Sequence, residues 1–151
     1  MTTKVEFKNT LESYRAKAKE FQTITIPEQQ FLIINGAGDP SNSDMMGASI
    51  EALYKFSYAL KFHNKRELGH VYAIPPLEDL WWSGAEFNVA NPDKSEFQWK
   101  LLSMMPGWLD AKTIATVKQT VQDNHLDTKV CDARLETLRK IHACTSVRAR
   151  R

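Results

Sequence analysis

No apolar run in this chain of 151 residues approaches the roughly 20 residues that a membrane-crossing helix requires. Residues 1–22 are polar and mixed in charge, unlike a secretory leader, which predicts a cytoplasmic protein with no membrane partner. Cysteine is scarce. Cys131 and Cys144 have neither metal-ligand spacing nor the density of a secreted disulfide scaffold, so free thiols are expected. His63, His70, His125 and His142 stand singly, as surface or loop residues do, and predict no metal site. The loop Asn35-Gly36-Ala37-Gly38-Asp39-Pro40 lacks the lysine and Ser/Thr pair of a P-loop and the third glycine of a dinucleotide fingerprint. No cofactor is expected. Its glycines permit positive φ, and Asp39, Ser41, Asn42 or Ser43 can cap the helix that follows.

Acidic residues are missing from the last thirteen positions, which hold Arg139, Lys140, Arg148, Arg150 and Arg151. The rest of the chain carries 15 basic against 18 acidic residues, so the body is mildly acidic although the whole has a net charge of +2. No helix-turn-helix, zinc-finger or ribonucleoprotein motif accompanies the basic end, and no specific nucleic-acid partner is predicted. A charged chain end is simply solvated.

The residues that are present spell out an α+β fold, an antiparallel sheet with helices packed on it. Phe7, Leu11, Tyr14, Ala18 and Phe21 recur at helical intervals and predict a short amphipathic helix over residues 6–21. Residues 23–26 alternate threonine and isoleucine before Pro27, as a brief edge strand would. Phe31-Leu32-Ile33-Ile34-Asn35 is a continuous apolar run and predicts a central strand. A long helix follows over residues 44–63, with Met46, Ile50, Leu53, Ser57 and Leu60 in one stripe and Tyr54, Tyr58 and Phe62 in a second. Core packing is the simpler expectation for that aromatic stripe. A pocket rim is the alternative, since a tyrosine ring is apolar while its hydroxyl can orient a ligand.

The chain is extended over residues 70–75 and again over 77–82, where Glu78 and Asp79 precede Trp81-Trp82. Adjacent strand residues point to opposite faces, so the two tryptophans cannot fill one core. One of them is free to cover a sheet edge or to floor an aromatic ligand site. Residues 96–105 alternate as a half-buried strand, Asp110 caps a helix carrying Ile114, Val117 and Val121, and Asn124 stops it. Residues 130–138 predict a last strand.

Together these residues carry a resemblance. Phe31-Leu32-Ile33-Ile34-Asn35-Gly36-Ala37-Gly38-Asp39-Pro40, Ile50-Glu51-Ala52-Leu53-Tyr54, Ser57-Tyr58-Ala59-Leu60-Lys61 and Pro76-Leu77-Glu78-Asp79-Leu80-Trp81-Trp82 resemble the stand-alone GyrI-like small-molecule-binding domain family. Phe97-Gln98-Trp99-Lys100 and Met104-Met105-Pro106 extend the likeness to about Leu138. The family resembles the effector-binding domains of multidrug-sensing regulators, is built from two strand-helix-strand-strand repeats around a ligand cleft, and includes hydrolases of cyclopropane-containing cytotoxins. The resemblance therefore implies one strand-helix-strand-strand repeat and the start of a second in residues 1–138. Residues 139–151 form a divergent basic tail in place of the family's second repeat with its late Glu and Tyr. A frameshifted or truncated gene product would explain the arginine bias, and sequencing the locus for a downstream remnant tests it.

The implied function is binding of a hydrophobic small molecule, cationic or aromatic, by Tyr54, Tyr58, Tyr72, Trp81 and Trp82. The alternative is a cyclopropanoid hydrolase using Glu78, a weak catalytic candidate because a strand-end carboxylate is more often a surface group. An interaction protein related to gyrase inhibition or transcription rests on family analogy alone. With most of the second repeat missing, Phe97, Trp99 and Leu101 are expected to be uncovered and to drive self-association.

Overall fold

The computed structural model describes residues 4–42, 44–84, 90–91, 93–124, 128–139 and 141–145. The apolar run of the sequence becomes β3 (Gln29–Ala37), with Phe31, Leu32, Ile33 and Ile34 all buried. It lies inside a four-stranded antiparallel sheet in the order β5 (Glu78–Ser83), β6 (Phe97–Met105), β3, β7 (Arg134–Leu138). A strand buried on both faces cannot alternate apolar with polar, which is why this segment reads as a solid apolar block. The shorter strands β1 (Lys4–Val5) and β4 (Val71–Tyr72) pair in parallel, and β2 (Gln22–Ile26) pairs antiparallel with β8 (Ile141–Thr145). The expected solvated tail therefore begins with a strand.

One face of the sheet is closed by α2 (Asp44–His63) and α3 (Ala111–Asp123). Their core-facing residues include Leu53, Phe56 and Leu60 from the first helix and Ile114, Val117 and Val121 from the second. Each such side chain contributes about 1.5–3 kcal/mol when fully buried. The Asp110 carboxylate accepts a hydrogen bond from the Thr113 amide at 2.7 Å, and Asn124 ends the helix. Trp99, opposite Gly36 in the β3–β6 register, is fully buried beneath these helices. A Cβ at Gly36 would lie 2.0 Å from the indole, so this glycine makes room for a ring. Of the two glycines in this loop, Gly38 has positive φ, at 102°. Asp39 forms the turn that follows, accepting from the Ser41 amide at 2.9 Å.

Four expectations need correction. Residues 6–21 form no continuous helix: α1 spans Phe7–Thr10, a 3-10 turn spans Glu12–Tyr14, and Lys19 takes a left-handed φ of 65°. Phe7, Leu11 and Tyr14 serve as isolated anchors on the sheet while Ala18 and Phe21 are exposed, which removes the need for a regular helix. Residues 128–132 are a 3-10 turn, its carbonyls at Cys131 and the adjoining Ala133 both taking hydrogen bonds from Lys118 Nζ at 2.7 Å, so β7 starts only at Arg134. Tyr54, Tyr58 and Phe62 are exposed, because α2 needs only one stripe to cover the sheet. Phe97, Trp99 and Leu101 are buried, the last two under the helices and Phe97 beside Trp81, so they supply no surface for self-association. Ser43, His125 and the side chains of His142 and Cys144 lie outside the described residues.

Candidate functional site

The opposite sheet face is built by the period-two alternation of its strands. In the β5–β6 register Glu78 stands opposite Leu102, Leu80 opposite Lys100, and Trp82 opposite Gln98. These three β5 residues therefore point away from α2, while Asp79, Trp81 and Ser83 point toward it. Leu80 and Trp82 are 49% and 43% exposed. The Trp82 indole donates to Gln98 Oε1 at 3.0 Å, which satisfies its polar edge and leaves the apolar ring as contact surface. Alongside runs a polar ladder in which Lys100 Nζ meets Glu136 Oε1 at 3.2 Å and Arg134 bridges Glu136 at 3.1 Å and Asn35 at 3.4 Å. Those charges are already matched to one another.

Farther along this face, Phe31, Ile33, Leu102 and Met104 form a small apolar cluster. Phe7, Leu11 and Tyr14 from the N-terminal segment pack on it. The Tyr14 hydroxyl donates to Glu78 Oε1 and sits 3.9 Å from Met104 Sδ. Burial among these apolar groups raises the Glu78 carboxyl above its ordinary pKa of 4.5, against the opposing pull of the Tyr14 hydrogen bond. Burial also raises the Tyr14 hydroxyl, and the neighbouring Glu78 acceptor raises it further. By contrast, Asp39, Asp93 and Asp110 are solvent-facing and are held below the usual range by hydrogen bonds from Ser41, Ser95 and Thr113. A carboxyl kept more basic beside an exposed aromatic surface is the kind of group that can exchange a proton or receive a cationic ligand.

The five aromatic candidates are not brought into one cleft. Tyr54 and Tyr58 line a cleft of about 360 Å³ against Pro75 and Pro76, on the outer side of α2. Trp81 lines another, of about 350 Å³, with Met46, Ile50, Leu77 and Leu101. Tyr72 is fully buried, in edge contact with Phe7 and Trp108, and its hydroxyl has no hydrogen-bond partner among the described residues. Burial raises its pKa. Trp82 alone shares a sheet face with Glu78. Helical spacing places Tyr14 in a seam, and nothing local connects it to a carboxylate 64 positions away, so its part in the site is not legible in the sequence. The common parity of residues 78, 80 and 82 was a usable signal for the rest.

Among the described residues no group of three or more His, Cys, Asp or Glu side chains could hold a metal ion, and no helix is long and apolar enough to cross a membrane. No protein-family model matches the chain, and neither does any curated protein. Solved structures from Listeria innocua do share the fold. An uncharacterized conserved protein superposes with a TM-score of 0.78 at 22% identity, covering 89% of this chain and 67% of its own. A hydrolase from the same organism gives 0.78 at 23% identity, over 91% of this chain and 67% of its own. A further Listeria innocua hydrolase gives 0.74 at 22% identity, over 89% and 66%. The chain thus spans about two thirds of the length of these structures.

Proposed function

We propose that this protein binds a hydrophobic small molecule, cationic or aromatic, against the open sheet face, in the manner of GyrI-like effector-binding proteins. The observation that carries this reading is Glu78, a half-buried carboxyl set in an apolar sheet face that continues into the exposed Leu80 and Trp82. Burying a carboxylate without a countercharge is costly, and a cationic ligand supplies that countercharge. Trp82 offers the matching cation–π surface. Lys100 does not neutralise Glu78, because its ammonium is engaged by Glu136.

Titration with a rhodamine dye, read by tryptophan fluorescence, tests the site. Saturable quenching that is lost in Trp82→Phe and kept in Trp81→Phe is the expected result. The reverse pattern moves the site to the helix-side cleft, and absence of saturable quenching removes the binding function.

Hydrolysis is the second reading, favoured by the Tyr14–Glu78 pair and in keeping with the hydrolases among the structures that share the fold. In it, Glu78 takes the proton of an attacking water while Tyr14 holds the carboxyl in place. Product analysis with a cyclopropane-bearing alkylator decides it: turnover should fall at least about a hundredfold in Glu78→Gln, on the scale of general-base catalysis. Unchanged turnover in that variant removes Glu78 from the chemistry.

A further inference from the structure

The N-terminal segment is attached to the sheet in an unusual way. The backbone hydrogen bonds of residues 7–14 all close locally, Leu11 N to Phe7 O at 2.9 Å, Tyr14 N to Leu11 O at 3.2 Å, and Asn9 N to Glu6 O at 3.1 Å. Among the described residues none reaches a strand of the four-stranded sheet. No residue of α1 or of the following 3-10 turn is fully buried. Among the described residues, side chains alone hold the segment to the four-stranded sheet: Phe7, Leu11 and Tyr14 rest on the cluster of Phe31, Ile33, Leu102 and Met104, and the strong polar tie is the hydrogen bond from Tyr14 to Glu78, with Met104 Sδ a weak second acceptor at 3.9 Å. Beside the segment, an open groove of about 390 Å³ runs between Phe7, Leu11, Pro27, Gln30, Met104 and Thr137. The start of the segment is pinned by the β1–β4 pairing and by Ala73 N donating to Val5 O at 2.9 Å.

A segment that bonds its backbone only locally between two pinned ends, β1 before it and β2 after it, and meets the sheet through side chains opens at low free energy without disturbing the sheet. We propose that residues 7–14 are a movable flap over the sheet face, latched by the Tyr14–Glu78 hydrogen bond. Opening uncovers Phe31, Ile33, Leu102 and Met104, which extend the surface begun by Leu80 and Trp82, and frees Glu78 to face a ligand. The flap makes the apolar face accessible only on demand, which limits exposure of sticky surface in the free protein. Tyr14 acts here as a positioning residue and gate. This inference rests on the sheet-face reading for its consequence, although the latch itself is a property of the free chain.

Amide hydrogen exchange of the full chain, compared between wild type and Tyr14→Phe, reads the latch directly. Losing a hydrogen bond to a carboxyl should speed exchange at residues 9–15 about five- to tenfold, with amides of β3 and β6 unchanged. Glu78→Leu, which also breaks the latch, should behave alike and covers the case in which Tyr14→Phe fails to fold. Glu78→Gln keeps an acceptor oxygen and should exchange as wild type does. Equal exchange in all four proteins, or acceleration that spreads through β3 and β6, overturns the latch. Stopped-flow quenching by rhodamine then reads the gate, with association severalfold faster in Tyr14→Phe. Faster exchange with an unchanged association rate overturns the gating role. Faster exchange with no dye binding in either protein defeats the binding function and leaves the latch standing.

Discussion

On the α2 side of the sheet, Leu32, Ile34, Trp99 and Leu101 are sealed by two helices, whereas on the other side Phe31, Ile33, Leu102 and Met104 are covered by one turn of helix and one 3-10 turn. The sealed face pairs two of its buried hydroxyls with each other, Ser57 Oγ donating to Ser103 Oγ at 3.1 Å. The open face instead retains a carboxyl of raised pKa, an exposed indole and a lattice of matched charges. The same strands therefore serve stability through one set of side chains and present the proposed ligand surface through the alternate set. Residues that fill the core and residues left on the open face differ here by a single step in sequence.

Substitutions can break or sharpen that contrast. The largest effect belongs to the sealed face, where Trp99→Ala should cost about 3–5 kcal/mol by denaturant titration because no neighbour can collapse into the space. A cost below about 1 kcal/mol would show that the indole does not organise this core. Gly36→Ala comes next, with a loss of about 1–3 kcal/mol, since the added methyl meets the rigid Trp99 ring and not a flexible chain end. If the pair Gly36→Ala with Trp99→Leu is no more stable than the sum of the single effects predicts, the two positions are not coupled.

The open face should answer to pH instead. Because the folded-state pKa of Glu78 is raised, the folded protein retains a proton that the unfolded chain gives up, and the stability this provides is complete below about 4.5 and is lost as pH rises through the raised value. The expected fall in Tm across that interval is about 2 °C or less for a half-buried group, and it should vanish in Glu78→Gln. A Tm–pH slope identical in the two proteins would mean that the carboxyl is not desolvated. Smallest of all is Lys100→Met. Its ion pair with Glu136 is only partly buried, so removal should cost about 0.5 kcal/mol, and the wild-type advantage should shrink in 1 M salt.

Much of the fold was legible in local patterns. Residues 44–63 repeat apolar groups at helical spacing and form α2 over that range, and Asp110 announces the start of α3 through a side chain that can bond only nearby amides. The tryptophan pair was legible in the same way, since period-two geometry alone separates Trp81 from Trp82, and the register sets them opposite Trp99 and Gln98. The site was less so. Helical spacing at Phe7, Leu11 and Tyr14 suggested a regular helix, but those residues obtain their burial from sheet contacts made one at a time, and no cooperative run of intrahelical bonds is required.

The sequence by itself determined which residues can be strands, which can be helices and which β5 side chains share a face, because those properties follow from periodicities of two and 3.6 within short windows. Tertiary structure alone decided that Gly36 lies under Trp99, that the polar edge of Trp82 is taken by Gln98, and that Tyr14 meets Glu78. The reason is physical: each depends on strand register or on where an irregular segment lands. Those are set by the summed burial of distant residues and leave no mark in the local pattern.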